Sequence, residues 1–136
     1  MKIIIAILFL AWTCSADYCG GNCPSGNCPT CPCGKNLSLV NAADICKKYS
    51  WNQTCCKCII NSGSGGNANY VGYSNSSSSE RYYVGLFTIN SLNWKYCTGE
   101  HAPCSVDDNL NCAIVTYNSQ GGWGIWSAAQ SCGCIN

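Results

Sequence analysis

"CCKCIINSGSGGN", residues 55–67, is the stretch on which the fold turns. Cys55, Cys58, Ile59 and Ser62 recur at three- and four-residue steps, which places side chains on one face of an α-helix. Asn52, just upstream, is a residue type whose side-chain oxygen caps a helix N-terminus. The periodic run stops at Gly63, and the residues up to Asn67 suit a chain that must reverse after a helix. The helix thus ends on a position that has no side chain.

Upstream, in "LSLVNAADICKKYSW" (residues 37–51), Leu39, Ala42, Ala43, Cys46 and Tyr49 repeat with helical spacing and predict an earlier amphipathic helix. Downstream, residues 64–80 are rich in Gly, Ser and Asn and read as a polar loop that ends in "SNSSSSE". "RYYVGLFTIN" (81–90) is β-branched and aromatic, which predicts a strand or tight β-turn. Ser105 and Asp108 stand three apart as in a capping box, and Leu110, Ala113, Ile114 and Tyr117 give the following helix its buried stripe. "WGIWSAAQSC" (123–132) reads as a closing helical segment. The expected fold class is α+β, predominantly helical with a small β region.

The chain begins with Lys2, an apolar run from Ile3 to Trp12, and then Cys14, Ser15 and Ala16. These are the parts of a secretory leader over residues 1–16, and the run is shorter than the roughly twenty residues a membrane span needs. Removing such a leader takes Cys14 from the 15 cysteines and leaves an even set, as a disulfide framework requires. Residues 17–36 contain "YCGGNCPSGNCPTCPCG", with five cysteines and no apolar period. They form a stapled unit ahead of a main domain at 37–136, either as a stabilising cap or as a small contacting knob. Zinc is the rival use of Cys23, Cys28, Cys31 and Cys33, but an oxidising compartment disfavours it, so no metal or cofactor is expected.

Without Lys2 the chain has six basic and six acidic residues. That balance builds no basic face for nucleic acid or for an anionic membrane. A secreted monomer is the expectation. Asn36, Asn52 and Asn75 head N-x-S/T sequons, which must be surface positions if they carry glycans.

Three stretches in order resemble the lysozyme superfamily, closest to animal-type lysozymes, with features of lytic transglycosylases. They span roughly 70% of the chain. In the family a helix-borne Cys is followed five residues on by a His-Glu-Ser-Gly context, and counting from Cys58 puts the Glu position at Gly63. "YYVGLFTINSLNWKYC" (82–97) is similar to the family's Asp-Tyr-Gly-Ile-Leu-Gln-Ile-Asn-Ser stretch, with Gly85, Ile89, Asn90, Ser91, Trp94 and Cys97 matching. "NLNCAIVTYNSQGGWGIWSAAQSC" (109–132) is similar to its Cys-Ala-led helix, glycine turn and Trp-bearing segment. The resemblance implies disulfides Cys58–Cys132 and Cys97–Cys104.

Cleaving a bond between sugars needs a protonated acid at the leaving oxygen and a second group for the developing positive charge. By the resemblance, the acid position is Gly63, the Asp position is Tyr83 and the usual Gln falls at Thr88. A phenol with pKa near 10 does not replace a carboxylate at neutral pH. Glu80 is the best substitute acid, provided its loop folds over the cleft and desolvates it. Helix capping accounts better for Asp107 and Asp108, Glu100 lies near the cysteine-bridged loop, and His101 has no partner pattern around it.

The groups that bind sugar are kept. Asn90, Trp94 and Trp126 hold family cleft positions, Tyr83 and Thr88 add a ring and a hydroxyl, and Tyr70, Tyr73 and Trp123 are possible neighbours. Trp126 reads equally well as core. The expected function is binding of peptidoglycan or a chitin-type glycan with little or no glycosidase activity. The alternatives are an active lysozyme or lytic transglycosylase with a displaced acid such as Glu80, and a protein-binding regulator on a lysozyme fold.

Overall fold

The computed structural model describes residues 18–76 and 79–135; the expected leader lies outside them. The chain forms helices α1 (Ala42–Cys46), α2 (Gln53–Gly63) and α3 (Val106–Gln120) and strands β1 (Val71–Ser76), β2 (Ser79–Val84) and β3 (Ile89–Asn90). Short 3-10 turns occupy Tyr18–Gly21 and Ser91–Tyr96. The class is α+β, but not predominantly helical: helix accounts for 35% and strand for 13%, so most of the chain is held by turns and cross-links.

The central helix follows its local signals. Asn52 caps α2, its Oδ1 accepting from the Cys55 N–H at 2.9 Å. The helix ends at Gly63, where the Ser64 hydroxyl donates to the Leu86 carbonyl at 2.8 Å and accepts from the Gly66 N–H. Three cysteines of its first two turns are bonded: Cys55–Cys134, Cys56–Cys46 and Cys58–Cys132. The expected Cys58–Cys132 pair is therefore present.

Four expectations need correction. The first helix is only five residues long; Leu39 lies outside it, exposed and bridged to Asn67. Asn41 starts α1 by accepting from Ala43 N–H, and the nearby Cys46–Cys56 bond forces the chain to reverse. The polar loop at 64–80 contains β1, an edge strand paired antiparallel to β2 with Val71 opposite Val84 and Tyr73 opposite Tyr82. Cross-strand packing there overrides weak strand propensity. The closing segment is a chain of turns, with Trp126 N–H on Trp123 O and Ala129 N–H on Trp126 O. Gly121 (φ 69°) ends α3 in the left-handed region, and the bonds at Cys132 and Cys134 pin the C-terminal turns to α2. Finally, Cys97 is bonded to Cys112 on α3, not to Cys104; Cys104 is bonded to Cys33. The N-terminal unit takes the cysteine that the resemblance assigned elsewhere.

The main core packs Ile45, Ile59, Ile60, Leu86, Phe87, Ile89 and Ala113 among buried cysteines. A file of rings runs through it: Trp51 to Trp123 at 5.0 Å, and Trp123 to Trp126 at 5.2 Å. Fully burying a Leu, Ile or Phe side chain contributes about 1.5–3 kcal/mol. A second, smaller core joins Cys19, Cys23 and Cys28 of the N-terminal unit to Val71 and Val84 of the sheet. The buried Asn22 ties the unit down. Its amide donates to Gly34 O and Asn36 O at 3.0 and 3.1 Å and accepts from Asn67 Nδ2 at 2.9 Å, and its carbonyl accepts from Val71 N–H at 2.8 Å. The unit is thus a cap on the sheet. Among the described residues no helix is long and apolar enough to cross a membrane.

Candidate functional site

Strand alternation builds the site. Tyr83 on β2 lies directly opposite Asn90 on β3, so both side chains leave the same face of the sheet. That face meets the end of α2 and the turns around Trp126. Two adjoining cavities result, of about 420 and 350 Å³, which share Tyr83, Thr88 and Ser127. The larger holds Asn90, Asn93, Arg81, Ile125 and Trp126; the smaller holds Gly63 at its helix end, with Tyr70 and Tyr73.

The turn between β2 and β3 is fixed from beneath. The buried Asn109 on α3 donates to Val84 O and Pro103 O, each at 2.9 Å, and accepts from Phe87 N–H at 2.9 Å. A Cβ at Gly85 (φ 75°) would lie 2.1 Å from the Asn109 amide, so only glycine fits there. Thr88, which closes the turn, has φ 48°, a strained conformation for a β-branched residue. Its methyl lies 3.0 Å from where a Gly63 Cβ would be. Trp126 is both core and wall: it is buried, its Nε1 donates to Phe87 O at 2.8 Å, and its ring borders the larger cavity.

Gly63, Tyr83, Thr88, Asn90 and Trp126 are therefore brought to one cleft. Trp94 is not among them. Its Nε1 donates to Ile89 O at 3.1 Å and its ring packs between the two cores, bordering neither cavity. Glu80 is not in the cleft either. It faces the side of β2 opposite Tyr83, exposed, and accepts a 2.6 Å bond from the Tyr73 hydroxyl. That bond, with some burial and the nearby carboxylate charge, pushes the Tyr73 phenol up to about 12. Burial alone raises the Tyr70 phenol. Trp123 is buried behind Trp126, with no hydrogen-bond partner on its Nε1 among the described residues.

Among the described residues no carboxylate lines either cavity, and Arg81 is the one charged residue of the lining. Asp44 and Asp107 make exposed ion pairs with Lys47 and Lys48 away from the cleft. The arrangement can stack apolar ring faces and exchange hydrogen bonds with hydroxyls and amides. It holds no acid to protonate a leaving oxygen. Sequence reading missed Arg81, Asn93, Ser127 and Ser25 at the cleft; Arg81 alone had a usable signal, two residues before Tyr83 on the same strand face. No family model, curated protein or solved structure matches the chain.

Proposed function

We propose that this is a secreted, lysozyme-like protein that binds cell-wall or chitin-type oligosaccharide and has little or no glycosidase activity. One observation carries the reading: Gly63 and Tyr83, the positions at which the sequence resemblance puts the family's two carboxylates, lie together in one cleft with no carboxylate among its described lining residues. What lines it instead suits a saccharide. Trp126 and Tyr83 offer ring faces, and Asn90 and Asn93 offer amides to hydroxyl and acetamido groups. The orientation of Glu80 away from Tyr83 weighs against catalysis by a displaced acid. Seven disulfides among the described residues fit an oxidising compartment, and the near-neutral charge fits binding that does not depend on electrostatic capture.

The test is release of soluble fragments from bacterial walls. The unmodified protein is expected to release none above background. A Gly63→Glu, Tyr83→Asp variant is expected to gain measurable release, provided Thr88 is also changed to Ser. That third change removes the methyl that a side chain at 63 would strike. Steady hydrolysis by the unmodified protein at an ordinary lysozyme rate would refute the reading.

A further inference from the structure

The two cavities differ in chemistry. Among the described residues, every one that lines the smaller cavity is either a glycine or a hydroxyl bearer, with no amide, charged or aliphatic side chain. Tyr70 and Tyr83 supply rings as well as hydroxyls, while Tyr73 borders the space with its own hydroxyl turned to Glu80 on the other face of the sheet. Gly63 and Gly72 keep the space open: a Cβ at Gly63 would press on the Thr88 methyl at 3.0 Å, and one at Gly72 on the Tyr70 hydroxyl at 3.1 Å.

Part of the remaining wall comes from outside the resemblance. Ser25 belongs to the N-terminal disulfide unit, in the short loop closed by Cys23–Cys28. Its hydroxyl bonds Asn27, whose amide donates to Tyr73 O at 3.3 Å. Thr30 of the same unit donates to the Tyr82 hydroxyl at 3.0 Å. Ser25 is therefore held against the sheet by these contacts as well as by the anchoring at Asn22.

We propose that the smaller cavity is a binding subsite for an uncharged sugar residue, walled by the N-terminal disulfide unit, and that the ligand is an extended saccharide spanning both cavities. This rests on the glycan-binding reading. Hydroxyl side chains both donate and accept, so they match sugar hydroxyls in either sense, whereas a charged group there would lose water without gaining a counter-charge. The rings add stacking faces. Because Tyr83, Thr88 and Ser127 border both spaces, one chain can fill the two together, and affinity rises with ligand length.

The experiment is calorimetric titration with N-acetylglucosamine oligomers from dimer to hexamer. It uses the unmodified protein and two variants, Ser25→Trp and Gly72→Val. Ser25 is exposed, so a tryptophan there leaves both cores intact. A branched residue suits strand β1 and displaces only the Tyr70 hydroxyl end. The hexamer is expected to bind at least about tenfold tighter than the dimer, a difference of about 1.4 kcal/mol. Each variant is expected to lose that advantage and keep its dimer affinity. Thermal unfolding identifies a variant that fails to fold, and the other then decides. Length-independent affinity in the unmodified protein, or a folded variant that keeps the full advantage, overturns the subsite and leaves glycan binding standing. Failure of every oligomer to bind, together with no binding of soluble peptidoglycan fragments, removes the glycan-binding reading and the subsite with it.

Discussion

Around α2, Cys55, Cys56 and Cys58 reach Cys134, Cys46 and Cys132, and the space between is filled by Trp51, Phe87 and two isoleucines. In the N-terminal unit, five cysteines enclose hardly any apolar side chain other than their own, and the seam to the sheet runs through the buried amides of Asn22 and Asn67. The first region is stabilised by burial, with cross-links added; the second is held by cross-links and by full satisfaction of polar groups. Below a certain size a segment has no core to bury, and bridges plus saturated hydrogen bonds are what remain. The cleft lies where the two regions meet.

The difference can be broken most sharply at the bridges. Cys55–Cys134 and Cys58–Cys132 close nearly the same loop, of 79 and 74 residues. Replacing all four cysteines by alanine is expected to cost about 4–5 kcal/mol by loop entropy, measured by denaturant unfolding. Removing either bridge alone is expected to cost well under half of that, because the other still closes the loop. Additive costs, with each single removal giving about half of the double loss, would show that the bridges act by packing rather than by restraint.

Next in size is Asn22→Ala. It strands the buried Asn67 amide and takes one donor from the Gly34 carbonyl, while Asn36 O keeps the Asn69 amide, at a cost of about 2 kcal/mol. The loss is expected to be local. Hydrogen exchange should quicken at Val71 and its β1 neighbours while α2 keeps its protection. Uniform loss of protection would mean that the two regions unfold as one.

The smallest effect concerns the Tyr73–Glu80 bond. A phenol held at about 12 in the folded protein, against about 10 unfolded, stabilises the fold fully below pH 10. That contribution is lost as pH rises from 10 through 12. The unfolding midpoint of Tyr73→Phe should therefore fall less across this window than that of the unmodified protein; parallel curves would deny the coupling.

Local signals were legible in the sequence. Asn52 and Ser105 cap their helices as their neighbours suggest, Gly63 ends α2, and the hairpin through Gly85 falls where aromatic and branched residues concentrate. Part of the cleft was legible as well, because Tyr83, Thr88 and Asn90 lie on one short hairpin and alternation places them. The rest depends on distant partners. Gly72, Ser74 and Asn75 carry no strand signal of their own, and β1 exists because β2 is there to pair with it. Cys97 had two partners within fifteen residues, and the choice of Cys112 was settled by Cys33 claiming Cys104. Trp94 matched a cleft position by order along the chain, yet its indole N–H turns to the Ile89 carbonyl and carries the ring into the seam. Ser25 had nothing to mark it, since its role comes only from the docking of the unit that bears it.

Strand β1 lies at the outer margin of the sheet, and an outer strand is a template on which another chain can pair. Here the N-terminal unit occupies part of that margin: Asn22 O takes the Val71 N–H, and the Asn27 amide takes the Tyr73 carbonyl. Beyond Tyr73 the strand continues as Ser74, Asn75 and Ser76, exposed and without an apolar side chain. The cap that walls the cleft thus also shields the sheet from strand addition, and opening it by reduction should leave that margin prone to edge-to-edge association.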